Sequence, residues 1–112
     1  MLAVMIDLLS GMPNPAWTLS CEEAAVLSGL VRDLVPATGA APSPPGLGYR
    51  GLVVSTDCAG LPAGTWRVFG GAIHLTDGVM TDADRHLERA LLASGEGRVE
   101  ARWLAAAREA IR

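Results

Sequence analysis

Residues 49–75, YRGLVVSTDCAGLPAGTWRVFGGAIHL, contain runs of branched and aromatic residues separated by glycine-rich turns. Such a pattern is typical of consecutive β-strands. It predicts one strand within Tyr49–Thr56 and a further β region over Trp66–Leu75. The Gly70-Gly71 pair inside that region is either a two-residue hairpin turn or a bulge in one long strand, and the sequence leaves both open.

Before this stretch, the sequence predicts a buried strand and a helix. The run LAVMIDLL at residues 2–9 is apolar apart from Asp7, and its length favours a strand over a helix. The Pro-Asn-Pro sequence at residues 13–15 predicts a stiff, extended turn, because proline fixes φ and restricts the residue before it. Ser20 and Glu23 have the spacing of a capping box, which predicts a helix that begins there and stops at Pro36. Its expected buried positions are Ala24, Leu27, Leu30, Val31 and Leu34.

After this stretch, the sequence predicts two more helices. Thr81 is a candidate N-cap for the first, which Ser94-Gly95 ends, and Arg98–Arg112 has the periodicity of the second. The inner face of the first would carry Ala83, Leu87, Ala90 and Leu91. The predicted fold is therefore a single α+β domain over residues 1–112. It has a mixed sheet of three to five strands, in the order β-α-β-β-(β)-α-α, with the helices packed on one face.

Composition excludes several functions. The chain has 112 residues and a formal charge of −3, and all nine basic residues are arginines. Without lysine, the chain cannot form a Schiff base through a lysine side chain and cannot contain a Walker-type phosphate loop. The mild acidity argues against nucleic-acid and anionic-membrane partners. The apolar run at the N-terminus is interrupted by Asp7 and is too short for a membrane span, so we expect a cytoplasmic protein.

The cysteines and histidines show no ligand-like spacing. Cys21 and Cys58 are far apart in the sequence, so we predict neither a disulfide framework nor a redox motif, and we expect both to be small buried hydrophobic residues. Together with His74 and His86 they have the right chemistry for zinc, but closed zinc sites usually contain closely spaced ligand pairs. The sequence therefore predicts no metal and no cofactor.

The segment GLGYRG at residues 46–51 matches the dinucleotide-binding pattern G-x-G-x-x-G. That pattern normally follows a strand and opens a helix, whereas this segment follows a proline-rich loop and leads into a strand. We therefore expect its glycines to permit tight turns or close backbone contacts. No nucleophile with an adjacent base is recognisable, so we predict no catalytic residues and lean against an enzyme.

Five residues near predicted loop edges are candidates for ligand binding: Asn14, Trp17, Tyr49, Arg50 and Asp57. If the first two strands are parallel, the turn at residues 13–15 lies near residues 55–57; if they are antiparallel, it meets Tyr49 and Arg50. An arginine there can hold an anionic ligand. In the structural alternative, Asn14 bonds its own turn, Trp17 covers the core and Arg50 is solvated.

The C-terminal helix favours a different function. It places a tryptophan and arginines on a short alanine-rich helix, and these two residue types are common anchors in protein interfaces. The candidate interface residues are Val99, Arg102, Trp103 and Ala106. Our first functional hypothesis is a non-catalytic accessory or protein-binding module that forms a homodimer through this helix. The alternative is a small-molecule binding protein, or minor enzyme, that uses the five-residue cleft.

Three segments carry a resemblance to known sequences: SGMPNPAW at residues 10–17, GLGYRG at residues 46–51 and LERALL at residues 87–92. Together they are similar to a group of small uncharacterised bacterial proteins with S-G-x-P-N-P-x-W and G-L-G-Y-R-G segments. The resemblance implies no activity, ligand or catalytic residue. Arginine without lysine and abundant alanine also fit a bacterial genome rich in G and C.

Overall fold

In the described part of the chain, the fold is built on a six-stranded antiparallel sheet with the strand order β2-β1-β3-β4-β5-β6. The computed structural model describes residues 1–8, 12–39, 43–44 and 48–112. The strands are β1 (Leu2–Ile6), β2 (Ala16–Leu19), β3 (Leu52–Thr56), β4 (Gly64–Phe69), β5 (Ala72–Leu75) and β6 (Gly78–Thr81). The last residue of the predicted first strand, and Gly46 and Leu47 of the glycine-rich segment, lie outside the described residues.

The α+β class is confirmed, but the strand count and the mixed sheet are wrong. Two strands were not predicted, and both are only four residues long. In β2 the side chains of Trp17 and Leu19 are buried and their neighbours are exposed, which is too short an alternation to stand out beside a proline turn and a capping box. The observed order is therefore β-β-α-β-β-β-β-α-α, if the helical turns at residues 21–31 count as one element.

Gly70 and Gly71 form a hairpin turn. Both have positive φ angles, 63° and 85°, and the flanking residues Phe69 and Ala72 pair across the turn. Positive φ at both central positions is typical of the two-residue turns that match strand twist. The structure therefore decides between the two alternatives in favour of the hairpin.

The first helical segment is shorter and less regular than predicted. It consists of α1 (Cys21–Ala24), a 3₁₀ turn (Ala25–Leu27) and α2 (Ser28–Val31). The capping box is confirmed, since Ser20 and Glu23 each accept a hydrogen bond from the backbone N–H of the other. The prediction that the helix runs to Pro36 is wrong, because Asp33 has a φ of 59° and Pro36 forms a β-bridge with Met80.

The other two helices are α3 (His86–Ala93) and α4 (Ala101–Ala110). Thr81 does not cap α3 as predicted, because it belongs to β6. The carboxylate of Asp82 instead accepts hydrogen bonds from the backbone N–H groups of Leu87 and Glu88. Asp84 and Arg85 lie between this carboxylate and the start of α3, and their φ angles are 52° and 56°. This left-handed conformation costs free energy in residues other than glycine.

The helices cover one face of the sheet, as predicted. Alternate residues of the central strands point to this face and form the core with Leu87, Leu91 and Leu104 of the helices. The opposite face carries half-buried or exposed side chains of the central strands, including Met5, Val53, Ser55, Arg67 and His74. Among the described helices, none is long and apolar enough to cross a membrane.

Candidate functional site

The antiparallel pairing of β1 and β3 separates the five candidate ligand-binding residues. Ile6 pairs with Leu52 and Leu2 pairs with Thr56, so Arg50 and Asp57 lie at opposite ends of β3. The turn at residues 13–15 is at the Arg50 end, because the backbone N–H of Ile6 donates to the carbonyl of Pro15. The structure thus has the antiparallel arrangement, in which this turn lies near residues 49 and 50. Asp57 lies at the other end of β3.

The strongest polar cluster at this end is centred on Asp7. Its carboxylate accepts one hydrogen bond from Arg50 Nη2 at 2.7 Å and another from Arg67 Nη1 at 2.9 Å. The Asp7 side chain is 10 % exposed, whereas those of Arg50 and Arg67 are 39 % and 40 % exposed. The cluster therefore has a nearly buried anion and two arginines that still face solvent on the helix-free side of the sheet.

Asp7 is ionised in this setting, and the cluster carries net positive charge. Burial raises the pKa of the Asp7 carboxyl, but the hydrogen bonds from Arg67 and Arg50 outweigh burial and leave the pKa below its usual value. One carboxylate cannot neutralise two guanidinium groups. The donors that remain on Arg50 and Arg67 are suited to a carboxylate or phosphate.

Arg67 was missed by sequence reasoning. The signal for it is one charged residue within the β-like run TWRVF. Such a residue marks the solvent-facing side of a strand, but its partner depends on the register between β3 and β4. That register places Arg67 opposite Val53.

Asn14 and Trp17 each make a contact that supports the fold. Asn14 Oδ1 accepts a hydrogen bond from the backbone N–H of Leu8 at 3.1 Å, which ties the proline turn to the end of β1. Trp17 is 5 % exposed, and its Nε1 donates to Ser94 Oγ at 2.9 Å. Its ring lies directly against Gly95, where an added Cβ would be 3.0 Å from Trp17 Cη2. Trp17 therefore covers the core, as the structural alternative expects.

Tyr49 faces the helices and not the Arg50 cluster. Its hydroxyl donates a hydrogen bond to Glu88 Oε2, and the other carboxylate oxygen of this fully buried glutamate has no hydrogen-bond partner among the described residues. Burial raises the pKa of both side chains. The pair is enclosed in the protein, so Tyr49 does not line a ligand cleft. Glu88 lies beside the predicted apolar stripe, and nothing in the sequence marked it as buried.

Cys21 and Cys58 form a disulfide, which corrects the prediction that no disulfide exists. Their Cα atoms lie 5.4 Å apart although 37 positions separate them in the sequence. The reason is tertiary: β1 pairs with both β2 and β3, so Cys21 after β2 comes close to Cys58 after β3. Cys58 is buried as expected, whereas Cys21 is exposed.

The histidines do not join the cysteines. The close group that contains both cysteines has Asp57 as its third member, and its ligand atoms all lie within 4.8 Å of one another. The α-ammonium of Met1 contacts this group, 3.0 Å from Cys21 Sγ and 3.1 Å from Asp57 Oδ1. His74 lies in β5 and His86 begins α3.

The predicted interface residues lie together on α4 and the segment before it. Val99, Arg102 and Trp103 line an open groove of about 730 Å³, whose other wall is the proline turn with Met12 and Pro13. The Arg102 guanidinium stacks over the Trp103 ring at 4.3 Å from its centre. Ala106 is exposed one turn further along the helix.

Comparison with known proteins identifies no relative. No family model matches this chain, no curated protein does, and no solved structure does.

Proposed function

We propose that this protein is a non-catalytic binding module that forms a homodimer through α4. The observation that carries the proposal is the outer face of this helix. It has a basic residue at one end, an acidic residue at the other and alanines between them, so it is complementary to a second, antiparallel copy of itself. Leu104, Ala107 and Ile111 are buried against the core. Because an α-helix advances 100° per residue, the opposite face carries Arg102, Ala105, Ala106 and Glu109, all of them exposed.

This face is suited to a two-fold symmetric contact. In an antiparallel pair of α4 helices that cross between Ala105 and Ala106, Arg102 lies opposite Glu109 of the partner subunit, and the same pair occurs again by symmetry. Alanines at the crossing point permit the two helices to approach closely. The interface then contains two ion pairs around an apolar centre, without any unpaired charge.

The present ion pairs of these side chains do not oppose such a contact. Arg102 Nε lies 2.8 Å from Glu100 Oε2, and Glu109 pairs with Arg112 three positions away. All four side chains are at least 64 % exposed. Exposed pairs of this kind contribute little free energy, so they can exchange for pairs across an interface.

Trp103 extends the surface at its edge. The residue is half-buried beside Arg102 and borders the groove that the proline turn completes. Tryptophan and arginine are enriched among the residues that contribute most binding energy in protein interfaces. The contact thus has an apolar anchor next to its charged pair.

Charge reversal tests the dimer. Analytical ultracentrifugation of the wild type is expected to show a concentration-dependent monomer–dimer equilibrium. Arg102→Glu or Glu109→Arg alone should weaken dimerisation at least about tenfold, because each places like charges opposite each other and tenfold corresponds to only about 1.4 kcal/mol.

The double variant with both reversals is the matched control. It restores opposite charges across the two-fold axis and should recover most of the wild-type affinity, which a loss of folding would not allow. A wild type that stays monomeric at high concentration, or a double variant no better than the singles, contradicts the proposal.

A second candidate function is the binding of a small anionic ligand by Arg50 and Arg67. The observation in its favour is the pair of half-exposed guanidinium groups that Asp7 holds in place on the helix-free face. Asn14 anchors the neighbouring turn to Leu8, and the histidine opposite Arg67 in the register, His74, adds a polar group. Tyr49 and Asp57 are not part of this revised site.

Thermal-shift measurements with phosphate, citrate and acetate test the anion site. A bound anion should raise the melting temperature of the wild type, because a ligand that binds the native state stabilises it by mass action. Arg67→Ala should abolish this shift. The matched control is Arg108→Ala, an exposed arginine on α4 that should leave the shift unchanged. An equal shift in Arg67→Ala would eliminate the site.

A cytoplasmic location stays part of the proposal only for the reduced chain, because the Cys21–Cys58 disulfide of this structure would not persist there. Thiols in the cytoplasm are kept reduced, so Cys21 and Cys58 would be present there as free cysteines.

A further inference from the structure

We propose that the reduced chain binds one thiophilic divalent cation, of the Zn²⁺ class, through Cys21, Cys58 and Asp57. The oxidised chain, in which the two sulfurs are bonded to each other, cannot offer them as thiolate ligands. The cysteine pair would thus be a metal site in the reduced protein and no metal site in the oxidised protein. This inference is independent of the proposed dimer, which uses α4.

The donor atoms already lie close together, and the two sulfurs, which are bonded to each other in this structure, have to move apart to hold a tetrahedral ion. The two sulfurs and an Asp57 carboxylate oxygen all lie within 4.8 Å of one another. With Zn–S bonds near 2.3 Å, tetrahedral geometry places two sulfur ligands about 3.8 Å apart. Opening the disulfide and seating the ion therefore requires side-chain adjustment and not a rearrangement of the sheet.

The three ligands come from two segments of the chain, each fixed by its own backbone contacts. Asp57 and Cys58 directly follow β3, and the backbone N–H of Cys58 donates to Thr56 Oγ1 at 3.0 Å. Cys21 is the first residue of α1, whose start is secured by the Ser20 capping box. Since both segments are anchored through β1, the ligands stay close together after the disulfide is reduced.

The chemistry of the donors selects the metal. Two thiolates favour Zn²⁺ and Cd²⁺ over Mg²⁺ and Ca²⁺, which prefer oxygen ligands. Cys58 is buried, whereas the Asp57 side chain is 89 % exposed, so the fourth coordination position faces solvent and suits a water molecule. Asp57 would exchange its contact with the Met1 ammonium for the metal.

The redox step balances with a phosphine as the reductant. The phosphine and one water convert the disulfide to two thiols and leave a phosphine oxide. Binding of the dication then displaces the two thiol protons into solution, and the resulting site of two thiolates, one carboxylate and one M²⁺ has a net charge of −1.

The test uses the full chain in both redox states, with Cd²⁺ and Zn²⁺ as probes. Phosphine-reduced protein should take up one Cd²⁺ per chain with a thiolate-to-metal charge-transfer band, and Zn²⁺ should displace it. Cys21→Ser, an exposed position, should lose this band, and Asp57→Asn should weaken Zn²⁺ binding at least about tenfold, which corresponds to about 1.4 kcal/mol. The oxidised protein should show no band.

Two control variants separate this site from others. Asp77→Asn removes an exposed carboxylate in the β5–β6 turn, and His86→Ala removes an exposed histidine, so neither should change the affinity. If the reduced chain is unfolded without metal, Zn²⁺ should restore its circular dichroism spectrum. A reduced chain that neither binds Cd²⁺ nor refolds with Zn²⁺ overturns the proposal, as does unchanged affinity in Cys21→Ser.

Discussion

Gly51→Ala is expected to lower the free energy of unfolding by about 3–5 kcal/mol, combining backbone strain with an unrelieved clash. Gly51 has a φ of +102°, and a Cβ at this position would lie 2.6 Å from the carbonyl oxygen of Val68 and 2.8 Å from Phe69 Cβ. The first obstacle is backbone of the neighbouring strand, which cannot turn away as a flexible side chain does. Urea denaturation of both proteins measures the difference.

Gly48→Ala is the matched control in the same segment. Gly48 has a φ of +83°, but no atom of the described residues lies within 4 Å of the added Cβ. Its substitution should therefore cost only the left-handed backbone, about 1–2 kcal/mol. If the two alanine variants are equally stable, close contact with β4 is not what requires glycine at residue 51.

Trp17→Ala should destabilise the protein by about 3–5 kcal/mol, the usual range for a large buried aromatic residue. The substitution empties the space against Gly95 and leaves Ser94 Oγ without the indole donor. Chemical denaturation at low protein concentration measures this effect on the monomer. Dimerisation of the folded fraction should be unchanged, because Trp17 faces the core.

Trp103→Ala is the corresponding control at a half-buried position. It should cost only about 1 kcal/mol of stability, since roughly half of a tryptophan's burial is lost, while it weakens dimerisation. A Trp17→Ala variant as stable as the wild type would contradict the assignment of Trp17 to the core. Equal effects of both substitutions on dimerisation would show that the two tryptophans are not divided between core and interface.

The interpretation of the glycine-rich segment illustrates what local sequence predicts well. The position of GLGYRG before a strand argued for backbone contacts and against a dinucleotide site, and Gly51 makes the predicted close contact. The capping box at Ser20 and the helices near the C-terminus were predicted for the same reason: each depends on residues a few positions apart. The two unpredicted strands are too short for a periodic signal.

The candidate sites depend on residues that are far apart in the chain. Arg67 and Asp7 are 60 positions apart, Arg50 and Asp7 are 43 apart, and Tyr49 and Glu88 are 39 apart. None of these pairs has a local signature. The sequence pointed to Arg50 as a candidate, but it offered no means to find Arg67 and it grouped Asp57 with the wrong partners.

By itself, the sequence determined the class of fold, the first strand, the start of the first helix and a backbone role for the glycines that precede the strand after residue 51, because short-range sterics, capping and periodicity decide these features. Only the tertiary structure decided that Cys21 meets Cys58, that Asp7 holds two arginines and that Tyr49 turns toward Glu88. The reason is that these pairs meet only once the strands are in register: a shift of one residue between β3 and β4, for example, would send Arg67 to the opposite face of the sheet.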